Sequence, residues 1–266
     1  MPAAPPAGGH TLEHSMQLAT DDITKSFAGV HALAGVTIAA EKGEIVGIIG
    51  PNGSGKTTLV NVISGVIPPS SGTVRLGDDS WSRRPSHKVA RCGIARTFQT
   101  IRLFDEMTVL ENVEVAASCS SQTRGVRRAR TATREALAML GLDEQAHTLA
   151  INLSYGQQRR VELARAVVGR PHFLLLDEPA AGLNDAESDD LLAMLLNLRD
   201  AVGCGVLLID HDLRLIMRGT DRIHVLNEGK TLAEGTPEQI RHNARVVAAY
   251  LGTEAHSTDA PAAATE

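Results

Sequence analysis

The spacing of apolar residues changes twice along this chain, and the changes mark its parts. Residues 36–50 hold two apolar runs, VTIAA and EIVGIIG, separated by the turn-forming Glu41-Lys42-Gly43, which predicts a pair of strands. A glycine-rich loop then leads into TTLVNVISGV, whose apolar spacing is helical. Further on, HFLLLD (residues 172–177) and GVLLID (residues 205–210) are short aliphatic runs between helical patterns, as expected of strands buried on both faces of a largely parallel sheet. Between about residues 98 and 169 such runs vanish, and TVLENVEVAASC and RRARTATREALAML predict a helical insertion in an α/β domain. DRIHVLNEGKTLAEG predicts a hairpin turning at residues 227–229, followed by a short helix ending at Tyr250-Leu251-Gly252. Folded structure is expected from near Met16, with Ala/Pro/Thr/Ser-rich disordered tails over residues 1–15 and 253–266.

Composition narrows the picture. The chain has 266 residues, 43% hydrophobic and 21% charged, suited to one domain with an attached subdomain. Its longest charge-free stretch, residues 57–74, contains Pro68 and Pro69 and cannot serve as a lipid-facing helix. The first residues carry no basic cluster before an apolar core, so no secretory signal is expected. A formal charge of -5 offers no whole-molecule attraction to nucleic acid or anionic lipid, so any bound phosphate must be held locally. Five arginines in RGVRRARTATR read as a solvated helix face, with a contact to acidic groups as the alternative. Cys92, Cys119 and Cys204 form no CxxC and read as isolated buried or half-buried residues.

Two segments carry chemistry on their own. Gly50, Pro51, Asn52, Gly53, Ser54, Gly55, Lys56 and Thr57 fit GxxxxGK[ST] between a predicted strand and a predicted helix, with Thr58 following. Backbone N–H groups of such a loop wrap phosphates at a helix N-terminus, Lys56 reaches the outer phosphates and Thr57 can ligate Mg²⁺. The run Phe173-Leu174-Leu175-Leu176 ends in Asp177 and Glu178, at the end of a strand where open α/β sheets bind ligands. Asp177 is the expected acid for Mg²⁺ and Glu178 the expected base that polarises water, a helix cap at Asp177 being the alternative.

A third segment, Leu153-Ser154-Tyr155-Gly156-Gln157-Gln158 before a helical run, resembles the LSGGQ signature of ABC-transporter ATPases, with Tyr155 in place of the first glycine. The resemblance spans residues 17–252, with its parts in family order. It implies an ABC-type P-loop NTPase fold: a largely parallel core sheet, an antiparallel β subdomain and an inserted helical subdomain. It further implies that Gln99 is the Q-loop glutamine, also near the metal, and His211 the switch histidine. Phe27 would stack on adenine, and Ser154, Gly156 and Gln157 would complete a partner's ATP site. Phe27 as a core residue, Gln99 as a loop residue and His211 as a helix cap are the alternatives. Ala181-Gly182-Leu183-Asn184 takes the D-loop position, with Asn184 where the family usually has Asp.

A narrower resemblance rests on RTFQTIRLF, MTVLENV, SYGQQRRVELARA, EPAAGLN and AYLG, which together look like the ATP-binding subunit of branched-chain amino acid transporters and their amide and urea relatives. It implies an ATPase energising an importer at the cytoplasmic face of the plasma membrane. The implied partners are permease subunits, a second ATPase chain of the same or a sister kind, and indirectly a solute-binding protein, with no nucleic acid. Another importer or a lipid exporter is the alternative. A soluble ATPase acting on ribosomes or nucleic acid is disfavoured by the single phosphate loop, and a non-hydrolysing regulatory module by Glu178 together with His211.

Overall fold

A computed structural model describes residues 16–120 and 122–257. The chain opens with a hairpin, β1 (Gln17–Phe27) and β2 (Val30–Glu41), then β3 (Ile45–Ile49) and α1 (Lys56–Ile63). Next come β4 (Ser71–Leu76), β5 (Asp79–Trp81), α2 (Ser86–Arg91) and β6 (Ile94–Arg96). Between β6 and β7 (Phe173–Asp177) lie α3 (Val109–Cys119), α4 (Val126–Met139), a 3₁₀ turn (Ala150–Asn152) and α5 (Tyr155–Val167), with no strand among the described residues. The remainder is α6 (Asp185–Val202), β8 (Gly205–Ile209), α7 (Leu213–Gly219), the hairpin β9 (Arg222–Asn227) and β10 (Lys230–Gly235), α8 (Pro237–Arg241) and α9 (Ala244–Ser257).

Two sheets organise these elements. One is six-stranded, ordered β10-β9-β3-β8-β7-β6, and every pairing in it is parallel except β9 with β10. The other is antiparallel, ordered β2-β1-β4-β5. Side-chain alternation along the parallel strands splits the interior in two. Ile45, Leu174, Leu176, Val206 and Leu208 face a core shared with the later helices and the insertion, whereas Val46, Ile48, Leu175, Leu207 and Ile209 face α1 and the antiparallel sheet. Both faces are covered, which is why these strands read as unbroken aliphatic runs.

Several helix starts are written locally. Thr108 with Glu111, Ser154 with Gln157, Asn184 with Glu187 and Thr236 with Gln239 each form a capping box, so orphan N–H groups are satisfied where each helix begins. Asn184, the D-loop variant, is therefore the cap of α6. Other features depart from the sequence expectation. The β4–β5 hairpin, α2 and β6 are too short to show a period, and α9 continues to Ser257 rather than ending at Gly252. Residues 1–15 and 258–266 of the expected tails lie outside the described residues. No helix among the described residues is long and apolar enough to cross a membrane.

Leu175 is fully buried in the second core. Leu175→Ala should lower the unfolding free energy by about 3 kcal/mol, the usual cost of a large-to-small change in a packed core. Chemical denaturation measures it; a loss near zero would mean that this core is not packed as described.

Candidate nucleotide site

The site collects at the carboxyl ends of β3, β7 and β8. The loop after β3 is pressed against other strands: a Cβ on Gly50 (φ +151) would lie 2.0 Å from the Leu226 carbonyl oxygen, and one on Gly55 (φ +104) 2.5 Å from that of Ala32. Only glycine fits at either place. Gly229, at the tip of the β9–β10 hairpin, donates its N–H to the Ser54 carbonyl at 3.0 Å, and its own carbonyl accepts from the N–H of Ala34 at 2.8 Å. The Lys56 ammonium folds over the loop, donating to the carbonyls of Gly50 at 2.7 Å and Pro51 at 3.0 Å. Among the described residues, the N–H groups of Gly53, Gly55, Lys56 and Thr57 make no hydrogen bond, and the buried Ser54 hydroxyl has no partner. Unsatisfied donors around the start of α1 suit an anion.

The acids lie alongside. Asp177 is the last residue of β7 and is buried; its Oδ2 accepts from Arg96 Nη2 at 2.9 Å. Glu178 follows with φ 50, in the left-handed region that a non-glycine residue seldom occupies, and its N–H donates to Ile209 O at 2.8 Å. Its carboxylate accepts from Gln99 Nε2 at 2.7 Å and lies 3.9 Å from His211 Nδ1. Burial holds the Lys56 ammonium below its ordinary pKa, against the opposing pull of Glu178 and Asp177. One charged neighbourhood therefore contains Lys56, Asp177 and Glu178, with Gln99 and His211 on Glu178. His211 is 68% exposed and does not cap α7, whose N-cap is Asp212. Asp177 is no helix cap either.

Phe27 is exposed at the turn of the β1–β2 hairpin, with the Lys25 ammonium 5.0 Å from its ring centroid, so it is not a core residue. The same hairpin presents Ala32 and Leu33 to Gly55, which ties it to the phosphate loop. Pro51, Asn52 and Thr58 lie in the loop or the first turn of α1. Ser154, Gly156 and Gln157 are placed elsewhere: they line a depression with Glu187, Asp190 and Met194 of α6. No hydrogen bond joins them to the phosphate loop among the described residues.

The sequence reading gave no site role to Arg96, Asp210 and Arg159, and took Tyr155 only as a departure from the signature. Arg96 pairs with Asp177, and Asp210, buried beside His211, accepts from the N–H groups of Ala180 at 3.0 Å and Asp212 at 2.9 Å. Burial pushes the Asp210 carboxyl above its ordinary range. Tyr155 donates its hydroxyl to Ala181 O at 3.1 Å and accepts from the buried Arg159. All four are buried or bonded across sequence-distant segments, and only adjacent acids and helix periodicity hinted at them. Among the cysteines, Cys204 is buried, its thiol pushed up to about 11, and Cys92 is partly buried, whereas Cys119 is exposed at the last turn of α3, contrary to expectation. Arg127, Arg128, Arg130 and Arg134 are exposed along α4 and Arg124 just before it, as a solvated face requires.

The parallel sheet, the loop with its free donors and the paired acids define a P-loop ATPase cassette. The profile of the ABC transporter family matches residues 33–181, and that of the branched-chain amino acid ATP-binding cassette transporter matches residues 230–256. This chain belongs to the ABC transporter family, as an ATP-binding subunit whose ATP hydrolysis energises transport. It is 44% identical over 248 residues to the high-affinity branched-chain amino acid transport ATP-binding protein BraF of Pseudomonas aeruginosa, covering 88% of this chain and 97% of BraF. The ADP conformation of MJ1267, an ATP-binding cassette of an ABC transporter, superposes with a TM-score of 0.80 at 32% identity, covering 89% of this chain and 99% of that one. A dimeric post-hydrolysis state of the cassette MJ0796, bound to ADP and Pi, superposes with a TM-score of 0.72 at 28% identity, covering 83% and 98%.

Lys56→Ala should weaken ATP binding by about 10- to 100-fold, the equivalent of about 1.5–3 kcal/mol for hydrogen bonds to a charged group. The fold should survive, because the Lys56 ammonium bonds only to carbonyls of its own loop among the described residues. Equilibrium nucleotide titration beside a thermal melt tests this; unaltered affinity would remove Lys56 from the phosphate site.

Proposed function

We propose that this chain hydrolyses Mg²⁺-ATP with Glu178 as base, to drive an importer of branched-chain amino acids or their amide and urea relatives. The observation that carries the chemistry is the meeting of Gln99, Glu178 and His211 beside the unpartnered donors of the phosphate loop. Phosphoryl transfer asks the protein for positioning and charge stabilisation more than covalent chemistry. Lys56 offsets phosphate charge, Glu178 orients and deprotonates the attacking water, and His211 and Gln99 hold Glu178 and that water in place. Phe27 supplies a flat apolar surface for adenine. The substrate class rests on the likeness to BraF and on the match at residues 230–256.

Thr57, Asp177 and Gln99 offer the hard oxygen donors that suit Mg²⁺, and Asp177 is already charge-compensated by Arg96. No group of three or more His, Cys, Asp or Glu able to hold a metal occurs among the described residues, so the protein would supply few of the ligands and nucleotide or water oxygens the rest. When bound, Mg²⁺ would supply charge neutralisation across the outer phosphates.

Ser154, Gly156 and Gln157 open α5 away from their own loop, so they serve the ATP site of a second cassette joined head to tail, either a copy of this chain or a sister ATPase. The dimeric MJ0796 cassette supports the pairing of two cassettes. A cleft of about 550 Å³ lined by Arg96, Phe98, Ala116, Cys119 and Arg165 lies where the insertion meets the sheet edge, and it suits a segment of a permease subunit. The chain would thus sit at the cytoplasmic membrane surface through its permeases and meet a solute-binding protein only indirectly.

Glu178→Gln should bind ATP normally and accumulate as a closed dimer, seen by size exclusion with and without nucleotide; normal turnover in that variant would exclude Glu178 as the base. Ser154→Ala should cost about 1 kcal/mol of stability through its lost cap and sharply lower ATPase activity, with ATP affinity of the monomer intact. In reconstituted vesicles with cognate permeases, leucine should stimulate ATP hydrolysis, and stimulation by unrelated solutes alone would overturn the assigned substrate.

A further inference from the structure

Arg96 ends β6 with only 8% of its side chain exposed, and the Asp177 side chain it meets is 5% exposed. Three elements converge on this guanidinium. Nη2 donates to Asp177 Oδ2 at 2.9 Å, while Nη1 donates to Asn61 Oδ1 at 2.7 Å and Ser64 Oγ at 2.9 Å, at the far end of the helix that the phosphate loop starts. The guanidinium also lies over Phe98, 5.0 Å from the ring centroid, and its Nε finds no partner among the described residues. Burial works against the Arg96 charge and Asp177 works for it. A guanidinium does not deprotonate in a protein, so its charge must be offset where it lies.

An arrangement of this kind is costly to build and costlier to break, since removing one partner leaves the other buried and uncompensated. Packing alone would not call for it, because an apolar pair fills the same space. Lys56 lies within electrostatic reach of Asp177 but donates to loop carbonyls, so Arg96 is the cation in direct contact with that carboxylate. The pair also spans the strand that delivers both acids and the helix that delivers the phosphate loop.

We propose that Arg96 is a positioning residue for the metal-binding acid, holding Asp177 by one oxygen against α1 and neutralising it until a divalent cation arrives with the nucleotide. This rests on the reading of Asp177 as the acid that holds Mg²⁺. Arg96 and the cation then offset the same carboxylate. Removing Arg96 adds one uncompensated negative charge to the free site, which destabilises the nucleotide-free chain and draws the cation in more strongly.

The test compares Arg96→Met, Asp177→Asn and the double variant by thermal unfolding, with and without Mg²⁺ and a non-hydrolysable ATP analogue. Arg96→Met should melt lower than the parent without ligand, gain more on adding Mg²⁺ and analogue, and need at least about threefold less Mg²⁺ for half-saturation at fixed analogue. The melting loss caused by Arg96→Met should shrink markedly in the Asp177→Asn background, where the lost contacts to Asn61 and Ser64 are the same and cancel. Equal losses in both backgrounds, or an unchanged or raised Mg²⁺ requirement, would overturn the proposal. If Arg96→Met alone fails to fold, recovery in the double variant supports the pair and continued failure opposes it. The underlying reading fails separately: Asp177→Asn would then leave the parent's Mg²⁺ requirement unaltered, whatever the cycle shows.

Discussion

The phosphate loop keeps its shape because it is clamped from outside. Gly50 lies against the Leu226 carbonyl, Gly55 against that of Ala32, and the Ser54 carbonyl takes the N–H of Gly229, so β2 and the β9–β10 hairpin both bear on the loop. The clamp leaves the N–H groups of Gly53, Gly55, Lys56 and Thr57 without a hydrogen bond among the described residues, which is the state a phosphate needs to meet. The order of the parallel sheet places the needed strands side by side, with β3 between β9 and β8.

Charge is balanced inside the site rather than by solvent. Asp177 is matched by Arg96, Glu178 is bonded by Gln99, Lys56 is bonded to loop carbonyls, and Asp210 accepts two backbone N–H groups. Glu178 is held in a left-handed conformation by the neighbouring strand, its N–H donated to Ile209, and this turns it off the line of β7.

A second network ties the insertion to this site. The buried Arg159 donates to the carbonyls of Phe98 and Gln99, pairs with Glu162 at 2.7 Å, and donates to the Tyr155 hydroxyl, which in turn donates to Ala181. The opening turn of α5, the segment around Gln99 and the segment before α6 are therefore connected within one chain. Tyr155, the departure from the common signature, is one of its links, and its ring fills the space beside Gly182.

Local chemistry made much of this legible in the sequence. The glycine-rich loop, the aliphatic strand ending in two acids and the helix start at Ser154 are each decided by residues next to one another, so spacing alone reported them. The largely parallel sheet followed from strands apolar on both faces. The short β4, β5 and β6 carried no such period, and α9 runs through Gly252, the glycine at which the sequence reading ends it. Only the tertiary structure decided that Arg96 faces Asp177, that Tyr155 reaches Ala181, and that Ser154 lies apart from its own phosphate loop. Those pairings join residues far apart along the chain, and the direction of a buried guanidinium or hydroxyl is set by which elements pack around it.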